Sequence, residues 1–318
     1  MLHHFTRSIA HIALPDKFTY PFHYTPHPLC VMAADEVQVY LQHQAQWQDE
    51  LQQGKMFGVL IVQTTEGEIG YLAAFSGILA GKNIHPYFVP PIYDLLQPDG
   101  FFKKEEEHIS AINHRIRELE EDTSYQKCRQ ALEEETARCS RLLSQAKAKL
   151  KAAKELRDCR RQTEQLSESE QAAMIRESQF QKAELKRLER SLKEHLSSLQ
   201  KETDTYVSQI EALKNERKSR SATLQQQLFE QFRLLNARGE VKDLCSIFAH
   251  TVHKIPPAGA GECAAPKLLQ YAYFHHYRPV AMAEFWWGDS PKAEIRHHGH
   301  YYPACKGKCE PILGHMLQ

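Results

Sequence analysis

Between Gly100 and Gly239 the chain runs for 138 residues, Phe101 to Arg238, without a glycine or a proline. An ordinary globular helix has roughly 11–12 residues. A stretch this long, rich in Glu, Lys, Arg, Gln, Leu and Ala, has one natural outcome, which is helix packed on helix. The flanks have another character. They hold all 15 prolines and all three tryptophans of the 318-residue chain. The composition predicts a globular body in two parts, residues 1–100 and 239–318, interrupted by a helical insertion over 101–238. The fold class expected is α+β: a small α/β body carrying a long antiparallel coiled-coil hairpin.

The apolar spacing supports the coiled coil. Ile109, Ile112, Ile116 and Leu119 follow 3-4-3 spacing, and Leu185, Leu192, Leu199, Tyr206 and Leu213 recur every seven residues, with Leu188, Leu196 and Ile210 beside them. Such a stripe is a seam for another helix. Between Gln162 and Glu170 the period lapses into Ser and Glu, which places a chain reversal there. The alternative is one unbroken rod pairing with a second chain as a coiled-coil dimer.

Charge is balanced overall, with 40 basic and 40 acidic residues, but the helical stretch holds 28 Lys and Arg against 24 Asp and Glu. Basic residues gather on both sides of the expected reversal: Lys147, Lys149, Lys151, Lys154, Arg157, Arg160 and Arg161 before it, and Lys182, Lys186, Arg187, Arg190 and Lys193 after it. A hairpin brings these runs side by side, and a basic patch of this kind suits the phosphate backbone of RNA. A solvated coiled-coil face is the plainer reading, because Glu155, Asp158, Glu184, Glu189 and Glu194 are interspersed.

The flanks read as mixed structure. Phe18 to Pro28 is an aromatic and proline-rich segment expected to wrap over the core, or to stack on nucleic-acid bases. Ala33 to Leu51 reads as a helix. Met56–Val62 and Ile69–Phe75, joined by Thr65-Glu66-Gly67-Glu68, read as a β-hairpin. Residues 77–98 read as loop. After Gly239, a short helix is expected over Leu244–His250, a helix over Cys263–Tyr273, a strand over Pro279–Trp287 and a last helix over Glu310–Leu317. The eight cysteines are irregularly spaced, three of them inside the helical stretch, which is no secreted disulfide framework. With no apolar run of membrane-spanning length and no signal-peptide pattern, the expectation is a cytoplasmic protein without a membrane partner.

Cys263, Cys305 and Cys309 are the candidate metal ligands. A cysteine at one helix start and a close pair at the next suits zinc, with His253, His297, His298 or His300 as a fourth ligand. The alternative is reduced thiols in a tight loop. The order helix, hairpin, helix with a cysteine, strand, proline–cysteine loop resembles zinc-dependent cytidine deaminase-like folds. In that chemistry a glutamate near the first ligand shuttles protons. The corresponding residue here is Ala265, and Glu262 precedes the cysteine.

Four segments carry a closer resemblance: Tyr87-Phe88-Val89-Pro90-Pro91-Ile92-Tyr93-Asp94, Gly261-Glu262-Cys263-Ala264-Ala265-Pro266-Lys267-Leu268-Leu269, Ala283-Glu284-Phe285-Trp286-Trp287-Gly288, and Tyr302 to Leu313 around Ala304-Cys305-Lys306-Gly307-Lys308-Cys309. Together they resemble the N-terminal region of long bacterial RluA-type pseudouridine synthases. In that family a catalytic domain follows, with a nucleophilic aspartate in an Arg-Leu-Asp setting. No Arg-Leu-Asp occurs in these 318 residues. The resemblance implies a non-catalytic RNA-handling module for rRNA or tRNA, working with a catalytic pseudouridine synthase domain in cis or in trans. The competing expectations are a zinc-dependent enzyme acting on a nucleobase and a coiled-coil scaffold.

Overall fold

The computed structural model describes every residue except His253 and Ala293. It divides into two compact units, one made of Met1–Glu106 and Ser221–Gln318, the other of Glu107–Arg220.

The first unit is built on a three-stranded antiparallel sheet, β1 (Lys55–Gln63), β2 (Ile69–Phe75) and β5 (Arg278–Trp287), in the order β2-β1-β5. The β1–β2 hairpin has the predicted place. Thr64 N–H donates to the Glu68 carbonyl at 2.9 Å, and Gly67 takes a positive φ of 86° in the turn. Alternate side chains of all three strands serve two cores. On one face Phe57, Val59, Ile61, Tyr71, Ala73, Phe75, Ala281, Ala283 and Phe285 pack with the buried Leu29, Ala33, Val37 and Leu41 of α1 (Pro28–Gln42). On the other, Leu60, Val62, Leu72, Ala74 and Met282 pack with α6 (Leu244–Phe248), α7 (Ala264–Phe274) and α8 (Cys309–Met316).

Three expectations for this unit change. The helix expected over Ala33–Leu51 begins five residues earlier, because Pro28 suits a first helical turn and the His27 ring accepts the Leu29 N–H at 3.2 Å. It also breaks after Gln42, where the Gln48 side chain donates to the Leu41 and Gln44 carbonyls, both at 3.0 Å. A one-turn 3₁₀ helix at Ala45–Trp47 and the short α2 (Gln48–Gln52) follow. The glycine-free stretch is not helical to its end. Arg233–Leu235 (β3) pairs with Val241–Asp243 (β4), and Leu224, Phe229, Phe232 and Leu234 are buried in the first unit. Their apolar bulk draws residues 221–238 into the body's core, out of the insertion expected over 101–238.

The aromatic N-terminal segment is pinned to the body by backbone and side-chain bonds. His3 and Tyr71 exchange backbone bonds at 2.9 Å, the Met282 N–H donates to Thr19 Oγ1 at 3.0 Å, and Tyr24 Oη accepts the Glu284 N–H at 2.9 Å while donating to the Tyr302 carbonyl at 2.9 Å. Core packing is therefore what most of these aromatics do, although Tyr20 stays 65% exposed.

The second unit is a helical hairpin. Its chain belongs to α3 (Phe101–Glu121), α4 (Thr123–Thr163) and α5 (Glu168–Gln231). Asp122 accepts the Ser124 and Tyr125 N–H groups and so caps α4. The reversal falls at residues 164–167, inside the predicted window, where Ser167 and Glu170 cap each other reciprocally: the Ser167 N–H donates to Glu170 Oε2 at 2.8 Å and the Glu170 N–H to Ser167 Oγ at 3.4 Å. Cross-helix bonds confirm the antiparallel register. Lys147 meets Glu189, Arg157 meets Gln181 and Lys214 meets Glu120. Ile116, Leu119 and Ile210 are buried with Ile112, Tyr125, Tyr206 and Leu213 against them, so the heptad residues do form a seam. No helix among the described residues is long and apolar enough to cross a membrane.

Candidate functional site

The basic residues of the hairpin sort onto different faces. Lys147, Lys151, Lys154, Asp158 and Arg161 recur at alternating spacings of four and three, which stacks them along one side of α4. Ile175, Ser178, Gln179 and Lys182, at positions i, i+3, i+4 and i+7, share one side of α5. The two stripes, with Leu150 and Arg157, line a groove of about 570 Å³. Six of its lining side chains are cationic and one, Asp158, is acidic.

Most of these cations are held loosely. Lys147 pairs with Glu189 at 3.1 Å, Lys151 with Glu155 at 4.0 Å and Arg161 with Asp158 at 3.2 Å, all across exposed side chains. Such pairs are worth about 0–1 kcal/mol and exchange readily for another anion. Lys154 and Lys182 have no carboxylate partner among the described residues. Arg157 differs. Its side chain is 7% exposed, donates to Gln181 Oε1 at 2.8 Å and lies 3.8 Å from Glu177, so it serves as a strut between the helices.

The other six predicted contacts fall outside this groove. Lys149 borders a separate apolar hollow with Leu150, Phe180, Leu185 and Leu188, and Lys193 borders a third with Leu132, Leu143 and Leu192. Arg160 is tied to Glu164 at 2.9 Å beside the reversal, and Arg187 to Glu184. Lys186 and Arg190 line neither hollow and pair with no carboxylate among the described residues.

The cysteines of the body do come together. Cys263 is the N-cap of α7 and Cys309 is the first residue of α8. Cys305 lies one turn upstream, its carbonyl accepting the Cys309 N–H at 3.2 Å. Cys309 is buried, Cys263 half-buried and Cys305 exposed. The neighbouring Cys263 and Cys305 thiols, with burial, hold Cys309 well above the usual thiol range. Cys305 moves the other way, to about 5. The hydrogen bond from Cys309 contributes most, and the backbone N–H groups of Lys308 and Cys309 and the Lys308 charge add to it.

Beside the thiols lies Glu284, a residue the sequence reading passed over inside a strand motif. It is 4% exposed and accepts the Ala265 N–H at 3.3 Å. Burial raises its carboxyl to about 7, and the neighbouring Cys305 pushes in the same direction. The one available signal was a charged residue in the run Ala281-Met282-Ala283-Glu284-Phe285-Trp286-Trp287, where the strand is otherwise apolar. Gly58 faces Glu284 across β1 and β5, and its missing side chain lets α7 approach; a Cβ there would meet the Ala264 Cβ at 3.0 Å.

Among the described residues no group of three or more His, Cys, Asp or Glu is arranged to hold a metal ion. His253 lies outside the described residues. His298 accepts the Gly288 N–H at 3.0 Å and packs on Trp287, while the rings of His297 and His300 face each other at 5.3 Å.

No protein-family model matches the chain, and no curated protein or solved structure shows significant similarity to it.

Proposed function

We propose that this chain is a non-catalytic RNA-handling module of a pseudouridine synthase system, gripping structured rRNA or tRNA through the groove between α4 and α5 and acting with a catalytic synthase domain in cis or in trans. The observation that carries the RNA contact is the groove itself: six cationic side chains from two helices facing one acidic residue, with Lys154 and Lys182 unneutralised. Lysines on a rigid helical hairpin supply positioning contacts to phosphates, with no sequence readout required. The synthase context rests on the four sequence segments. They belong to one body, and Val89, Leu268, Leu269, Ala304, Ile312 and Leu313 from three of them share one core.

The test is binding of the full chain to a structured tRNA or rRNA fragment, followed by fluorescence anisotropy at two salt concentrations. If about four phosphates are neutralised, affinity falls by roughly a hundredfold between 50 and 200 mM salt. Lys154→Glu with Lys182→Glu weakens binding by tenfold or more. Binding that ignores both salt and these charge reversals rules the groove out.

A second reading concerns the body's fold. The order β2-β1-β5, with cysteine-bearing helix starts on one face, supports a cytidine deaminase-like architecture. It is a reading of fold and not of activity, since Ala265 occupies the place of the proton-shuttling glutamate.

A further inference from the structure

Between α1 and the N-terminal segment the body holds a cavity of about 430 Å³, none of whose lining residues belongs to the hairpin. Met32, Asp35, Glu36, Val39 and Tyr40 stand at i, i+3, i+4, i+7 and i+8, so one side of α1 forms a wall. His3, His4, Thr6 and Arg7 form another, held to β2 by the backbone bonds between His3 and Tyr71. Glu36 is fully engaged. Its Oε1 accepts the Thr6 N–H at 2.8 Å and the Thr6 hydroxyl at 2.6 Å, and its Oε2 accepts the Tyr71 hydroxyl at 3.0 Å. These bonds pin Thr6 to α1 and so fix the backbone from which Arg7 projects. Tyr71 is 2% exposed and gives its one proton to Glu36. The Tyr87 hydroxyl, 2.9 Å away, therefore donates to Tyr71 and keeps a lone pair for another donor. Two charges on the lining are left over. The side chains of Arg7 and Asp35 have no ion pair or hydrogen bond among the described residues. Val39 adds an apolar side chain that is 53% exposed, next to the Tyr40 ring, which stacks on Tyr87 at 3.8 Å.

We propose that this cavity binds a free α-amino acid with an apolar side chain. Asp35 takes the α-ammonium, with the Tyr87 oxygen as a second acceptor. Arg7 takes the α-carboxylate, whose two oxygens match the guanidinium fork. The ligand's side chain lies against Met32, Val39 and the Tyr40 ring. The argument is one of sign. A simple amine satisfies Asp35 but leaves its charge facing Arg7. A simple acid satisfies Arg7 but faces both Asp35 and Glu36. A zwitterion answers the two unused charges at once, and its apolar part covers Val39. A charged ligand side chain would lose its water against that patch and gain no partner. The volume lies at the small end of the range for small-molecule sites, roughly 300–1,000 Å³. The inference uses neither the RNA groove nor the synthase reading.

Isothermal titration calorimetry of the full chain with L-phenylalanine and L-leucine tests this. At least one of the two should saturate a single site per chain, with a Kd below about 1 mM. Analogues that lack one charge separate the two ends: phenethylamine and 3-phenylpropanoate for phenylalanine, 3-methylbutylamine and 4-methylpentanoate for leucine. Each should bind roughly tenfold or more weaker than its parent, the loss of one charged contact. Arg7→Gln should weaken the amino acid by roughly tenfold or more and leave the matched amine unchanged. Asp35→Asn should weaken the amino acid by as much and should not weaken the matched acid. Both positions are exposed, so the variants should melt like the wild type, and the analogue series on the wild-type chain stands without them. The proposal is overturned if neither amino acid saturates the chain, if the amine or the acid binds as tightly as its parent, or if both charge variants bind the amino acid like the wild type.

Discussion

The carboxylate of Glu284, on β5, accepts the backbone N–H of Ala265 at 3.3 Å, in the first turn of α7. It is the only acidic side chain among the buried residues that the structure describes, and it lies beside Cys305 and Cys309. The residue opposite it in β1 is Gly58, so strand and helix meet over a glycine with an acid filling the gap. Its chemistry follows from this location. An ionised carboxylate here has lost its water and has one backbone donor in return.

The first prediction concerns pH. Burial raises the Glu284 carboxyl to about 7, against roughly 4.3 in an unfolded chain. The folded protein therefore holds a proton that the unfolded chain has released at pH 5 to 7. Stability from this group is present in full below about 4.3 and is lost as pH rises to about 7, by about 4 kcal/mol in all. Glu284→Gln keeps an acceptor for Ala265 and removes the titration. Its melting temperature should gain on that of the wild type steadily from pH 4.5 to 7 and run parallel above that. Parallel curves across the whole range would mean that Glu284 ionises normally.

Gly58→Val tests the close approach from the other side. A Cβ at Gly58 meets Leu268 Cδ1 at 3.1 Å and the Ala264 Cβ, which is fixed to the α7 backbone, at 3.0 Å. Valine adds two methyl groups to that contact, so we expect about 1–3 kcal/mol of destabilisation from overpacking. Urea unfolding followed by tryptophan fluorescence reports it, since all three tryptophans lie in this body. An unchanged midpoint would mean that α7 shifts without cost.

How much of this was legible beforehand differs by element. The β1–β2 hairpin was readable because Thr65-Glu66-Gly67-Glu68 interrupts two apolar runs, and the chain reversal because the heptad lapses near Ser167. The β3–β4 pair was not, since Arg233–Leu235 continues a stretch free of glycine and proline, and only burial of Phe232 and Leu234 takes it out of the helix. Of the twelve basic residues proposed for RNA contact, those spaced like Lys147, Lys151 and Lys154 share the groove. Lys149 and Lys193 do not, because a run of charges says nothing of the helical face until the register is known. The cysteine cluster was visible as spacing, but Glu284 was hidden, because its partner is a backbone N–H nineteen residues away.

The two kinds of cation in the hairpin should separate by experiment. Arg157 is buried between α4 and α5, and Arg157→Ala leaves Gln181 Oε1 without its donor and removes the ion pair to Glu177. Loss of a largely buried, charged hydrogen bond costs about 1–3 kcal/mol, visible as earlier loss of helical circular dichroism on heating. Breaking the exposed Lys147–Glu189 pair should cost less than about 1 kcal/mol in a double-mutant cycle. Equal costs would contradict the assignment of Arg157 as the strut.

Lys267 gives the last prediction, with the opposite pH sign to a salt-bridged lysine. It is 3% exposed, and its Nζ donates to the Phe75 carbonyl at 2.9 Å and the Gly77 carbonyl at 3.3 Å, lying 4.9 Å from the centre of the Phe75 ring. It thereby closes the end of β2 onto α7. Burial lowers its ammonium to about 8, against the ordinary 10.5, with Glu262 offsetting part of the cost. Between pH 8 and 10.5 the unfolded chain thus binds the proton that the folded chain has released, and stability from this site rises with pH across that window. Lys267→Met removes the titration but leaves two carbonyls without a donor, so the variant should be less stable than the wild type already at pH 7. The deficit should widen as pH is raised from about 8 to 10, which thermal melts at several pH values would record. A deficit that narrows over that range would mean that the folded state holds the lysine charged, with the two carbonyls outweighing its desolvation.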